Sequence, residues 1–169
     1  IHPDREIAAL RSYLRLRERH LDYAAAHIQH MQKALIHMNL QLHHVVADVT
    51  GATGMRIIRA IVAGERNAAT LATMRDTRCK SSVETIQSAL VGNYQPEHVF
   101  ALAQALAMYD AYQTQLEICD QQIAQSLIQL SQQQPSPSEP LPKPRHRTRQ
   151  PNALNFNVRA LLYQLVGVD

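Results

Sequence analysis

Residues 7–45, IAALRSYLRLRERHLDYAAAHIQHMQKALIHMNLQLHHV, decide the fold. Steps of three and four from Ile7 reach Leu10, Leu14, Arg17, Leu21, Ala24, Ile28, Met31, Leu35, Met38, Leu42 and Val45, and only Arg17 breaks the apolar run. A repeat of 3.5 residues keeps one stripe of a helix turned toward a partner helix along its whole length. The pattern predicts one long helix over residues 1–46. Pro3 suits its first turn, where no N–H is needed, and Asp4 and Glu6 sit at the positive end of its dipole.

Working outward, the stripe needs a partner, and residues 96–133 supply one. After Pro96, a helix starter, the seam runs Val99, Leu102, Leu106, Tyr109, Gln113, Leu116, Asp120, Ile123, Leu127 and Leu130. Residues 47–95 between the two helices open on Asp48 to Gly54, where two glycines break the pattern. They read as a knob of three short helices. The first is capped by Thr53 and ended by Gly64, the second is capped by Asn67, and the third has Ser81 and Glu84 at capping-box spacing with Gly92 at its stop. A knob returns the chain to its starting end, so the two arms are antiparallel. The expected architecture is all-α: a long, coiled-coil-like antiparallel hairpin with a small helical insertion at its tip. Antiparallel pairing brings Arg17 within about a heptad of Asp120, a pair that sets register more than it stabilises.

Residues 134–153 are a Pro-rich basic linker, and residues 154–169 resume an amphipathic helix with Leu161, Leu162 and Leu165 on one face. The sequence opens on Ile1 and closes on VGVD just after an apolar run, which reads as part of a longer chain.

The 169 residues carry a net charge of +3, unevenly spread. Residues 1–46 and 47–95 are each mildly basic. Residues 96–133 hold no Lys or Arg but do hold Glu97, Asp110, Glu117 and Asp120. An acidic helix of this kind complements a basic neighbour. No stretch has the roughly 18 uninterrupted apolar residues of a membrane span, and two cysteines are too few for a disulfide framework. The expected setting is the cytoplasm.

Little in the chain looks catalytic. Carboxylate pairs, phosphate-binding glycine loops and nucleophile motifs are all missing from the sequence. His30, His37 and His44 recur every seven residues, which separates them by ~10 Å along a helix, too far to share one ion. A solvated histidine face is the simpler reading. Cys79 lies beside Arg78 and Lys80 with no accompanying His and carboxylate, and Cys119 flanks the second seam. Two basic features instead suggest nucleic acid. A Gly-rich turn, VTGATGMRIIRAIVAG, runs into a helix carrying Arg56 and Arg59, with Arg75, Arg78 and Lys80 following in the knob. The linker adds Lys143, Arg145, Arg147 and Arg149. An ordinary tight turn and a merely solvated linker are the plain alternatives.

Four phrases carry a resemblance: IHPDREIAALRSYLR, HIQHMQKALIHMNLQL, DVTGATGMRIIRAIVAGERNAATLATMRDTRCK and LYQLVGVD. Together they resemble a bacterial insertion-sequence transposase family of RNA-guided recombinases. Its members have an N-terminal RuvC-like DEDD nuclease domain and a C-terminal serine-bearing transposase domain. The resemblance covers nearly the whole chain and places it between those domains. It implies that the family's catalytic acids and serine lie outside these residues, with Mg²⁺ expected for the nuclease domain and no cofactor for this segment. It also implies DNA and a structured guide RNA as partners, and assembly as a homo-oligomer.

The expected function is a non-catalytic connector that spaces two catalytic domains, supports oligomerisation and contacts nucleic acid. The pairing seam expected to carry it is Ile7, Leu10, Leu14, Arg17, Leu21, Ile28, Met31, Leu35 and Leu42 on the first arm. Leu106, Leu116, Asp120, Ile123 and Leu127 form it on the second. A free-standing helical interaction module and a metal-binding helical bundle are the rival readings.

Overall fold

The computed structural model describes residues 3–133, 140, 142, 152–154 and 156–166. Among them seven helices occur: α1 (Pro3–His37), α2 (Leu42–Val45), α3 (Ala52–Ala63), α4 (Ala68–Ala72), α5 (Val83–Ala89), α6 (Pro96–Gln132) and α7 (Val158–Val166). The described residues contain no strand, so the all-α expectation holds. α1 packs antiparallel against α6. The chain divides into two compact units, one holding the segments up to Asp22 and from Tyr112 onward, the other Tyr23–Ala111.

In the first unit, antiparallel contacts tie Glu6 to Gln133 (3.1 Å), Arg17 to Asp120 (2.6 Å) and the His20 ring to that of Tyr112. The α6 seam is buried there at Leu116, Ile123, Leu127 and Leu130. The α1 seam is less covered: Leu10, Arg17 and Leu21 are only partly buried, and Ile7 and Leu14 remain 40% and 42% exposed.

The second unit holds the main core, in which Met31 and Leu35 of α1, with Met38 just after it, meet Leu102 and Leu106 of α6 and the apolar sides of the knob helices. α4 and α5 pack together, with α2 against α5 and α3 against α4. The knob is stitched at its neck by Gln41 N–H to Ala89 O (2.8 Å) and Asn93 N–H to Met38 O (2.9 Å).

The first helix stops at His37, short of the expected 1–46. Asn39 takes a left-handed conformation (φ 55°), Asn39 N–H bonds Ile36 O, and Leu40 N–H bonds Leu35 O. That pattern is a Schellman close, with Leu40 and Leu35 supplying the buried apolar contact. Leu42 and Val45 keep their buried character, but they do so from the separate helix α2. The same motif closes α3: Gly64 (φ 114°) bonds Ile61 O and Glu65 bonds Ala60 O.

Other boundaries shift slightly. Asn67 caps α4 as expected, its side chain accepting from Ala69 and Thr70 N–H. The cap of α5 is Ser82 rather than Ser81, accepting from Thr85 N–H, and the helix ends before Gly92. Thr53 is not the cap of α3, since Gly51 occupies that position. Its hydroxyl instead lies buried and accepts from Asp76 N–H at 3.0 Å, tying α3 to the loop after α4.

Candidate nucleic-acid interface and pairing surface

The knob arginines lie close together in sequence, but their hydrogen bonds are largely internal. Arg75 is a strut for its own loop, donating from Nε to Ser81 O and from Nη2 to Cys79 O, each at 2.6 Å. Loop carbonyls that helical pairing leaves free are satisfied in this way. Arg59 makes a two-pronged contact with Asp110 of α6, at 2.8 and 2.7 Å. These hydrogen bonds hold the Asp110 carboxyl below the usual carboxylate range and raise the Arg59 guanidinium.

Asp76 gathers two more. It accepts from the backbone N–H and Nε of Arg78, and Arg56 Nη2 lies 3.6 Å from its other oxygen. The Arg78 N–H, then its side chain, push the Asp76 carboxyl down. Arg56 also reaches Met74 O at 3.4 Å. Lys80 is exposed. Arg56, Arg59 and Arg78 nonetheless keep half or more of their side-chain surface open (53%, 50% and 84%), so a phosphate can compete for them. Lys143, Arg145, Arg147 and Arg149 lie outside the described residues.

Of the pairing seam, the structure buries Met31, Leu35, Leu42, Leu106, Leu116, Asp120, Ile123 and Leu127, and half-buries Ile28. Ile7 and Leu14 do not join them. Leu16 on α1 and Ile118 and Ile128 on α6 are exposed too, so the first unit carries several uncovered large apolar side chains.

Arg66 was not singled out by sequence reasoning. Its guanidinium lies over the Tyr94 ring at 5.0 Å and donates to Ile61 O at 2.6 Å. Burial there pushes the Tyr94 hydroxyl up.

A groove on the second unit was also missed. One wall is α1, with His27, His30, Ala34 and His37 at successive offsets of three, four and three residues, and Lys33 beside them. The other wall is α6, where His98, Ala101, Ala105 and Met108 repeat the same offsets beside Gln104. Its volume is about 450 Å³. The His37 and His98 rings meet edge-on across it at 4.9 Å, and His27 and His30 lie 5.6 Å apart. The seven-residue spacing of His30 and His37 was visible in the sequence; the facing α6 stripe was not.

Among the described residues no three His, Cys, Asp or Glu side chains form a group suited to a metal ion. Nor is any described helix long and apolar enough to cross a membrane. Compared with protein-family models, curated proteins and solved structures, the chain shows no match.

Proposed function

We propose that this chain is the non-catalytic central segment of a DNA transposase, spacing its catalytic domains and joining protomers, with nucleic acid as a further contact. The observation that carries the pairing role is the half-covered seam of α1. Ile7 and Leu14 occupy positions that a coiled-coil-type helix normally hides, yet each stays about 40% exposed with Leu16 nearby. Covering such side chains with a second protomer removes apolar surface from water at ~25 cal/mol per Å². The transposase assignment itself is supported by the sequence resemblance. The nucleic-acid role is supported by the exposed guanidinium surface of Arg56, Arg59 and Arg78.

Sedimentation equilibrium tests the pairing role. The wild-type chain is expected to self-associate, and Ile7→Glu with Leu14→Glu is expected to sediment as a monomer with unchanged helical circular dichroism. Leu21→Glu with Ile28→Glu, at half-buried seam positions, is expected to lose helix as well as association. A monomeric wild type would sink the oligomerisation reading. Filter binding at low salt tests the nucleic-acid contact, which should weaken steeply as salt rises. Sequencing the flanking open reading frame tests the parent assignment, which requires a DEDD nuclease on one side and a serine domain on the other.

A further inference from the structure

We propose that the histidine-lined groove of the second unit binds single-stranded nucleic acid, with bases stacking on its imidazole rings and phosphates drawn to Lys33. This rests on the nucleic-acid part of the function proposed above and assigns it to a place outside the knob arginines.

Charge is the first argument. The groove is lined by four imidazoles and one ammonium, with no Asp or Glu among its lining residues. Every ionisable group on its walls is therefore neutral or positive, which suits an anion. Imidazole N–H groups donate to phosphate or base oxygens in either protonation state, and Lys33 adds a full charge. The knob arginines, by contrast, already share Asp76, Asp110 or loop carbonyls.

Shape is the second. The matched stripes put Ala34 of α1 between His30 and His37, and Ala101 and Ala105 of α6 between His98 and Met108. His27 to His37 spans about 15 Å of helix axis, enough for a short run of nucleotides. Flat rings rising beside an alanine floor offer faces on which unpaired bases stack without regard to sequence. Duplex nucleic acid keeps its base faces inside the stack and cannot use them. An acidic helix is the competing occupant on charge alone. Docked helices, however, are held by large apolar anchors in deep apolar pockets, and a floor of three methyl groups gives them little to grip.

The test is fluorescence anisotropy of the full 169-residue chain with a labelled oligothymidylate at low salt. Three variants are compared: Ala101→Glu, which sets a carboxylate in the groove, Lys33→Gln with His30→Gln, and Arg78→Ala as a knob control. Ala101, Lys33 and His30 are all exposed, so helical circular dichroism should be unchanged and loss of binding is not loss of fold. The groove variants should weaken binding at least about tenfold, the control much less, and Lys33→Gln with His30→Gln should lower the salt slope by about one. Groove variants that bind like wild type, with Arg78→Ala impaired, would overturn the groove and leave the nucleic-acid reading standing. A wild type that binds no oligonucleotide would overturn both. Equal binding of a duplex, lost in Ala101→Glu, would overturn the single-strand assignment. So would a labelled polyglutamate that binds the wild type but not Lys33→Gln with His30→Gln, if unlabelled oligothymidylate cannot displace it.

Discussion

Arg17 Nε donates to Asp120 Oδ1 at 2.6 Å, joining the one charged residue of the α1 seam to the one acid of the α6 seam. Both side chains are nearly buried (12% and 7% exposed), and Arg17 Nη2 also donates to the carbonyl of Asn152 at 2.6 Å. One guanidinium thus pins α1, α6 and Asn152 near the end of the 134–153 segment. A charge pair placed inside an apolar seam penalises every register that separates it.

Removing only one partner should therefore cost far more than removing both. Arg17→Met leaves the Asp120 carboxylate nearly buried without its main donor and should lose about 3 kcal/mol in urea unfolding. Arg17→Met with Asp120→Leu should recover most of that loss. A double variant as unstable as the single would show that the pair is not the cause.

Gly54 should resist substitution. A Cβ there would lie 2.2 Å from the Val49 carbonyl oxygen, a backbone atom that cannot move aside. Gly54→Ala should cost more than about 2 kcal/mol. Gly64→Ala, in open space but at φ 114°, should cost about 1 kcal/mol. Thermal unfolding of the two variants checks the order, and equal midpoints would contradict it.

Acid should loosen the knob. The folded carboxyls of Asp76 and Asp110 are held below their ordinary value by hydrogen bonds from Arg78 and Arg59. A depressed carboxyl contributes stability above its unfolded pKa of about 3.9 and loses it as pH falls through the folded value. The loss should therefore appear below about pH 4, in step with these two groups. The Arg59–Asp110 pair is half exposed, so Asp110→Asn should cost under about 1 kcal/mol at neutral pH. Unfolding midpoints measured from pH 6 to pH 2 should show a shallower decline in Asp76→Asn with Asp110→Asn. An identical decline would rule these carboxyls out.

The two thiols should react at different rates. Cys119 is buried, and burial, then the Asp120 charge, pushes its thiol up, while Cys79 is half-buried. Thiolate is the reactive form, so iodoacetamide should modify Cys79 first in the native chain. Mass spectrometry of early time points reads the order directly, and first labelling at Cys119 would refute it.

The seam and its register were legible because a 3.5-residue repeat depends only on which side chains avoid water. That is why Arg17 and Asp120 could be matched before any fold was known. The end of α1 was less legible. Leu42 and Val45 continue the apolar rhythm across a real chain reversal, and Asn39 is a weaker stop signal than the glycine that ends α3. The engagement of the arginines was less legible still. Their types and clustering read as a phosphate site, but Arg75 is consumed by carbonyls only four and six residues away. Such local wrapping leaves no mark in composition.

By itself, the sequence determined helix content, antiparallel pairing and the Arg17–Asp120 register, because all three follow from the spacing of apolar and charged side chains along single helices. Only the tertiary structure decided which seam residues stay uncovered and which arginines are already engaged. It alone set His98, Ala101 and Ala105 opposite His37, Ala34 and His30. A groove belongs to two helices at once, and the rotation of each about its axis is set by packing against the rest of the core.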